Sequence, residues 1–457
     1  MAWHHQSVPY GHRFRGLIAM STHTNKVSPA QRPGQKIAVI GSGISGLTAA
    51  HMIAADHQVT VFEAADYIGG HTNTINLGPE HGGLAVDTGF IVFNDWTYPN
   101  FIKLMGQLGV ESQKSDMSFS VKCEKSGLEY NGTNINSLFA QRRNLLRPSF
   151  HQMIRDILRF NKESLRLLDR PEDDGQTLGD YLAENRYSRQ FIRHYIVPMG
   201  SAIWSTGERG MDIFPARYFV RFFKNHGMLS VNERPQWRVI NGGSQRYVEV
   251  LARPLAGSVR LNTPVVGVER SSEGVRIRVR GNDEPESFDQ VIFACHSDQA
   301  LAILGDPTAA EREILGAIPY SPNEATLHTD ARVMPRRKLA WASWNYHIRN
   351  DNRGDERVAV TYNMNILQSL PARKTFLVSL NSDDAIDDRH AIKKILYHHP
   401  AYTVDSIRAQ RRHGEISGAA ENLGGRTHFC GAYWGFGFHE DGVKSGVAVA
   451  KAFGKTL

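Results

Sequence analysis

Short apolar runs and longer amphipathic stretches alternate along this chain, and each kind keeps to its own region. Lys36-Ile37-Ala38-Val39-Ile40 is the β-branched run that a buried parallel strand requires. Leu47-Thr48-Ala49-Ala50-His51-Met52-Ile53-Ala54-Ala55 follows as a helix whose small residues suit close packing on a sheet, and Val59-Thr60-Val61-Phe62-Glu63 reads as a second strand. In that order they predict a βαβ unit. Segment 136–232 is helical by pattern: Met153, Ile154, Ile157, Leu158, Leu165 and Leu168 fall near helical spacing, with Arg and Lys between them. Tyr218-Phe219-Val220-Arg221-Phe222-Phe223-Lys224 mixes aromatics with cations. It reads either as a helix packing its aromatics inward or as one lying on a membrane interface. Val275-Arg276-Ile277-Arg278-Val279 alternates strictly, as a half-exposed strand does. Segment 325–380 holds the alternating runs Val358–Asn363 and Phe376–Leu380 and predicts a mixed sheet. Its Trp341, Trp344, Tyr346 and Tyr362 would serve as cavity wall or as core. No run approaches the roughly 18–20 apolar residues that span a bilayer.

Between the first strand and its helix stands Gly41-Ser42-Gly43-Ile44-Ser45-Gly46. Each glycine serves a different physical need. Gly41 permits the tight turn, Gly43 lets a pyrophosphate approach the backbone, and Gly46 lets helix and strand pack together. The helix N-terminus offers free N–H groups and partial positive charge to phosphates. Glu63 lies 20 residues after Gly43, at the end of the second strand, where a carboxylate can accept both ribose hydroxyls. Together these features predict a dinucleotide site.

Gly69-Gly70-His71-Thr72 begins six residues after Glu63. Farther along come Ala85-Val86-Asp87-Thr88-Gly89-Phe90, Arg238–Ser244 with its Gly242-Gly243 pair, Leu261–Val268, Phe288–Cys295, and a C-terminal block from Thr427 to Gly446. With these segments the chain resembles the flavin amine oxidase and phytoene desaturase superfamily. Through Gly89–Asn94, Pro198–Ser205 and Ala340–Tyr346 it is most similar to bacterial FAD-binding oxidoreductases and to the flavoprotein portion of plant cyclopropane fatty acid synthases.

The resemblance implies an α/β fold: a discontinuous Rossmann-like FAD-binding domain, residues 35–95, 236–300 and 420–457, with an inserted α+β substrate domain. The insert would comprise 96–235 and 301–419, with its helical part at 136–232 and its mixed sheet at 325–380. It further implies that FAD meets Gly41, Gly43, Ile44, Ser45 and Gly46 at the phosphates, Glu63 at the ribose, and Gly69, Gly70, His71 and Thr72 on the return to the pyrophosphate. Gly89 would pass close to the flavin and Val266 would contact adenine. Gly431 would end a strand beside the flavin, and a helix beginning near Asp441-Gly442-Val443 would aim its N–H groups at the flavin and stabilise its reduced anion. Two positions depart from the pattern. His71 stands where relatives carry Arg, and Tyr433 stands where many carry an acid for the ribityl chain. Cys430 does not match the position of covalently flavinylated cysteines, so FAD is expected to be non-covalent.

Composition adds limits. Hydrophobic residues make up 41% and charged residues 22%, ordinary for a globular protein. The net charge of +7 reads first as a solvated basic surface; as a sign of a partner it fits a nucleic acid, an anionic membrane surface or an acidic ligand equally well, and nucleic acid is not among the expected partners. Cys123, Cys295 and Cys430 are far apart and form no CxxC pair, so neither a metal site nor a disulfide framework is expected, and a reducing compartment fits best. Cys295 is expected to be a small buried residue. Residues 1–34 are polar and Pro/Gly-punctuated, lack the apolar core of a secretory signal, and are expected to form a flexible tail; Met20 offers a second start. The expected location is cytoplasmic, with peripheral contact on the inner membrane face as the further option.

Only one glycine fingerprint is present and there is no redox CxxC, so electrons should come from substrate rather than from NAD(P)H, and should leave to oxygen or another acceptor. Four readings follow. The first is oxidation or desaturation of an unsaturated or methyl-branched fatty acyl chain of a lipid. The others are an amine oxidase, for which Lys338 is the Lys nearest the Trp-rich segment, an FAD-dependent double-bond isomerase, and a non-catalytic lipid-binding protein. His439 and His71 are the candidate bases, because neutral imidazole suits proton transfer near neutral pH; they serve equally to hold phosphate or flavin. Tyr346 and Asn94 are candidates to line the site.

Overall fold

The computed structural model describes residues 33–170, 175–349, 359–419 and 424–457. The expected tail therefore lies outside the described residues except for its last two positions, and so does Val358. Lys36–Ile40 forms the central strand of a five-stranded parallel sheet. Gln58–Phe62 and then Val259–Arg260 lie on one side of it, and Gln290–Phe293 and then Thr427–Phe429 on the other. The α/β expectation holds, and the reason is burial: Ile37, Ala38, Val39, Val61, Val291 and Ile292 pack on both faces.

The helix Ile44–Ile53 crosses one face of this sheet, and the helix His439–Ala452 packs upon it. Small residues set that approach. A Cβ on Gly446 would collide with the carbonyl oxygen of Ser45, and one on Gly442 would stand 2.7 Å from Cγ2 of Ile44. On the other face, an antiparallel sheet of Val265–Arg270, Val275–Val279 and Glu286–Phe288 packs against the helix Ala309–Gly316. Arg270 and Glu311 join the two as a fully buried pair, with guanidinium nitrogens 2.6 and 2.9 Å from the carboxylate oxygens. Arg270 also reaches Asp306 at 2.9 Å and the hydroxyl of Thr427 at 3.3 Å, which ties this sheet to the last parallel strand.

Opposite lies a seven-stranded sheet in the order Ala391–Pro400, Tyr320–His328, Leu377–Leu380, Val360–Asn363, Trp344–Ile348, Phe119–Cys123, Leu128–Asn131. Its neighbours are antiparallel except Trp344–Ile348 with Phe119–Cys123. The predicted mixed sheet at 325–380 is thus the middle of a larger one. Helices of the 136–232 segment, among them Pro148–Glu163, Val197–Trp204 and Ala216–Asn225, close around an aromatic core that includes Phe150, Phe160, Phe191 and Phe219. The stretch Tyr218–Lys224 belongs to this core. Phe219, Val220, Phe222 and Phe223 are buried, and Phe219 stacks on Phe223 at 4.1 Å. The interfacial reading of that helix is therefore corrected: its apolar face is already covered. Among the described residues no helix is long and apolar enough to cross a membrane.

The buried pair gives the first prediction. Glu311→Ala should strand the Arg270 guanidinium and lower the unfolding free energy by about 3–5 kcal/mol. Asp306→Ala, at a side chain 36% exposed, should cost about 1 kcal/mol. Urea denaturation followed by circular dichroism reads both; equal losses would show that burial does not set the cost.

Candidate functional site

A cavity of about 730 Å³ runs from the phosphate loop to the seven-stranded sheet. One end is walled by Gly41, Ser42, Gly43, Ile44 and Ser45, together with Glu63, Gly69, Gly70 and the Thr263–Val265 turn. The three loop glycines differ in kind. Gly41 has φ +107, and a Cβ there would stand 2.8 Å from the carbonyl oxygen of Ala294. A Cβ on Gly46 would strike the carbonyl oxygen of Gly41 and press on Ala294. At Gly43 nothing lies within 4 Å of that position. Gly43 thus opens onto the cavity, whereas Gly41 and Gly46 make the turn and the helix packing possible.

Glu63 is held in a fixed pose. Its Oε2 accepts from the Ser42 amide at 2.9 Å and from the Ser42 hydroxyl at 2.6 Å, and its Oε1 accepts from the Ala65 amide at 2.9 Å. Oε2 already accepts two bonds, so the acceptor site left for a ribose hydroxyl is on Oε1. Gly69 bridges to Gly43 in the parallel sense, and a Cβ on Gly70 would lie 3.2 Å from the Gly43 Cα. The Gly-Gly turn therefore folds back on the phosphate loop, as the resemblance implies.

His71 follows directly and faces three further imidazoles on the same wall, His296, His398 and His399. Its ring stacks on Tyr397 at 4.9 Å and lies 5.4 Å from His399. Burial pushes His71 and His296 down to about 4, and His399 down to about 3, with the neighbouring imidazoles adding to each shift. All three are neutral near pH 7 in this arrangement. Nε2 of His71 and Nδ1 of His399 are buried without a protein partner. Such orphaned nitrogens beside an open phosphate loop fit an oxygen-rich ligand. With Gly43 and Glu63, they make this end of the cavity fit the pyrophosphate and ribose of FAD.

The C-terminal block supplies the next wall: Gly431, Ala432, Tyr433, Gly437, Phe438 and His439. The Tyr433 hydroxyl is buried without a protein partner, and burial raises it well above the ordinary phenol range. It is a neutral donor where the resemblance implies an acid. His439 stacks on Phe90 at 3.5 Å, and its Nε2 lies 2.9 Å from the Thr72 hydroxyl and 2.8 Å from the Tyr247 hydroxyl, which also bond each other. Burial drives the imidazole well below its usual range, so it is uncharged.

Several expected site residues lie off the cavity wall, each for a local reason. The Thr72 side chain is spent on Tyr247 and His439. Gly46 packs helix on strand. Val266 is the extra residue of a bulge between Val265 and Gly267, so it turns to solvent while Val265 faces the cavity. The last helix begins at His439, two residues before Asp441-Gly442, because the Asp441 carboxylate accepts from the Phe438 amide at 3.0 Å and caps it there. Burial lifts Asp441 to about 7. Gly442 and Val443 pack toward the helix Ile44–Ile53 and its core. Asn94 is buried in its own turn and accepts from the Trp96 and Thr97 amides, each at 2.9 Å. Tyr346 and Trp341 also lie off the wall; Trp344 and Tyr362 are on it. Gly89 lines the cavity, where a Cβ would strike the carbonyl oxygen of His71. Asp87 braces the Gly242-Gly243 turn by accepting from the Ser244 amide at 2.9 Å and hydroxyl at 2.8 Å. Cys295 is on the wall, and burial pushes its thiol up to about 12, which leaves it unreactive. Cys430 is buried.

The sequence reading missed His296, His398, His399, Tyr320 and Tyr402 on the wall. The available signal was weak: a His-His-Pro run closing an amphipathic strand, and a His three residues past a re-entering parallel strand. Lys338 lies off the wall, with its ammonium 6.0 Å from the centre of the Trp341 ring. Among the described residues no Lys or Arg lines the cavity, and Glu63 is its one acid. No cluster of His, Cys, Asp and Glu among them could hold a metal ion.

Comparison with known proteins agrees with this geometry. A family model described as flavin containing amine oxidoreductase matches residues 44–388. The L-amino-acid oxidase of Mus musculus is 25% identical over 312 residues, covering 63% of this chain and 46% of that protein. The matched stretch spans about half the length of the curated relatives. Among solved structures, the cyclohexylamine oxidase of Brevibacterium oxydans superposes with TM-score 0.63 at 16% identity, covering 92% of this chain and 99% of that one. The CLA-producing fatty acid isomerase of P. acnes superposes with TM-score 0.63 at 17% identity, covering 91% and 98%. These likenesses are of fold, and proteins named for different chemistries share it equally.

The glycine contrast yields a paired prediction. Gly43→Val should leave a folded protein without flavin, because the new side chain fills ligand space alone. Gly46→Val should fail to fold, because its side chain meets backbone. Glu63→Ala should keep the fold and weaken FAD by about 1.5–3 kcal/mol, the worth of hydrogen bonds to a charged group. Flavin absorbance after gel filtration, together with thermal melting, reads all three. Normal flavin content in Gly43→Val would refute the phosphate-loop assignment.

Proposed function

The chain belongs to the flavin containing amine oxidoreductase family and takes FAD as its cofactor, and from that premise we propose that it oxidises an apolar substrate, desaturating or otherwise oxidising an unsaturated or methyl-branched fatty acyl chain of a lipid. The observation that carries this reading is the wall beyond the flavin-binding end. Val92, Ile203, Leu380, Trp344, Tyr362 and Phe436 line it, and no Lys or Arg among the described residues joins them. A substrate carboxylate would find no cation there, and a substrate ammonium no anion except Glu63 at the ribose end. Burying either charge unpaired costs several kcal/mol. An acyl chain has no such requirement.

Bound in the cavity, FAD supplies a two-electron acceptor for a hydrogen leaving a substrate carbon, with oxygen or another acceptor taking the electrons onward. The chain's own residues set the conditions. Gly43 and the Gly69-Gly70 turn fix the phosphates, and Glu63 fixes the ribose. Tyr433 and His439 present uncharged polar atoms, which keep the wall neutral and exclude competing ionic ligands. Trp344 and Tyr362, edge to face at 5.0 Å, form an aromatic corner against which a chain can pack. We expect FAD to be held non-covalently: Cys430 is buried beneath the wall rather than on it.

The amine oxidase reading keeps one favourable observation, the aromatic pair Trp344 and Tyr362, whose faces would attract a cation. Stopped-flow spectroscopy separates the readings. Anaerobic mixing with phospholipid bearing unsaturated acyl chains is expected to bleach the flavin band. Bleaching by simple amines and not by lipid would overturn the proposal in favour of an amine oxidase. A rearranged lipid product without bleaching or oxygen uptake would overturn it in favour of an isomerase. A purified protein that retains no flavin would remove every catalytic reading.

A further inference from the structure

Five of the chain's seven net positive charges fall between residues 135 and 170, which hold eight Lys and Arg against three Asp and Glu. The same stretch exposes large apolar side chains: Ile135 at 78%, Leu145 at 50%, Leu146 at 88% and Leu158 at 53%. The two sets are knit into one surface. Ile135 opens the short helix Ile135–Leu138, and Leu145 and Leu146 end the turn Arg142–Leu146. The Arg142 guanidinium joins these two pieces by donating to the carbonyls of Asn136 at 3.2 Å and Phe139 at 2.8 Å. The helix Pro148–Glu163 continues from the turn, and His151 Nε2 lies 2.8 Å from the Leu145 carbonyl oxygen. That helix buries Phe150, Met153, Asp156 and Phe160 inward. Its exposed residues His151, Arg155, Leu158 and Lys162 follow a spacing of four, three and four, so they share the outer face.

Arg159 is paired with Asp156 at 3.3 Å, but Arg143, Arg147 and Arg155 meet no carboxylate among the described residues. Arg143, Arg147 and Arg155 donate to the Gly127 carbonyl, the Asn144 side-chain oxygen and the Gln152 side-chain oxygen, which are all amide oxygens. The leucines project from a turn and a helix face and are far too exposed to be lining a groove. Apolar tips among unpaired guanidiniums suit a surface that offers anionic groups in a plane and apolar matter just beneath it. We propose that the face formed by residues 135–166 docks the protein on an anionic lipid bilayer, with Leu145 and Leu146 entering the headgroup layer and Arg143, Arg147 and Arg155 meeting lipid phosphates. The proposal is independent of the substrate reading, since a bilayer would hold this face whatever the flavin oxidises.

Vesicle sedimentation of the full chain tests it. The protein should pellet with vesicles of phosphatidylcholine containing phosphatidylglycerol, stay in solution with phosphatidylcholine alone, and release as salt rises. The combined variant Arg143→Gln, Arg147→Gln, Arg155→Gln should lower binding to the anionic vesicles by about tenfold or more. Leu145→Ser with Leu146→Ser should lower it also. Flavin content and thermal melting should match the parent protein, which separates lost docking from lost folding. Failure of the parent chain to pellet, equal pelleting with both lipids, or variants that pellet as well as the parent would each overturn the proposal; a protein partner for this face would appear as the first of these.

Discussion

Backbone-to-backbone contact between the helices Ile44–Ile53 and His439–Ala452 is the constraint on which the site depends. Gly446 lets the second helix come down to the Ser45 carbonyl, and Gly442 lets it pass Ile44. Glu440 in the same helix then reaches across to the helix Pro99–Leu108, where its carboxylate accepts from the amides of Asn100 at 3.1 Å and Phe101 at 2.9 Å. Those are the first free N–H groups of a helix that lacks a side-chain cap of its own. One set of close contacts therefore positions the phosphate loop, the wall from Gly431 to His439, and the start of the inserted region. Side chains larger than hydrogen at Gly442 and Gly446 would push all three apart.

The sequence made the cofactor end of the cavity legible and left the substrate end dark, for a physical reason. Gly41, Gly43 and Gly46 act through backbone geometry, and Glu63 through a carboxylate at a fixed separation from them, so both are written directly in residue spacing. Gly69-Gly70 was readable for the same reason. Val266 misled because a single bulge residue changes which neighbour faces inward, and alternation alone does not reveal a bulge. Asp441 stands within the first turn of its helix and off the cavity wall because its carboxylate is spent capping the Phe438 amide. Asn94 and Tyr346 are site candidates by residue type alone, and type does not say whether a polar group faces a ligand or its own turn. The imidazoles of His296, His398 and His399 come from strands that meet only in three dimensions, so no local pattern announces them.

The wall's charge pattern is as informative as its shape. Its basic groups are imidazoles, and burial keeps His71, His296, His399 and His439 in the neutral form. The guanidiniums are elsewhere: Arg270 is locked against Glu311 in the core, and others crowd the face at residues 135–166. The protein thus separates a neutral interior cavity from a strongly cationic exterior patch. A family whose members share one fold across different chemistries leaves such distributions, rather than the fold, to distinguish one member from another.

The position of these contacts along the chain has a consequence for how the protein comes into being. The central strand Lys36–Ile40 finds its partner Gln290–Phe293 some 250 residues later, and the edge strand Thr427–Phe429 and the helix His439–Ala452 are made later still. During synthesis the phosphate loop must wait on the ribosome with one flank of its sheet missing and its outer helix unmade. FAD cannot be enclosed until residue 446 has left the exit tunnel and met Ser45. Cofactor capture is therefore a closing step of biogenesis, and a chain interrupted shortly before that point would carry a complete glycine fingerprint and no means of keeping what it binds.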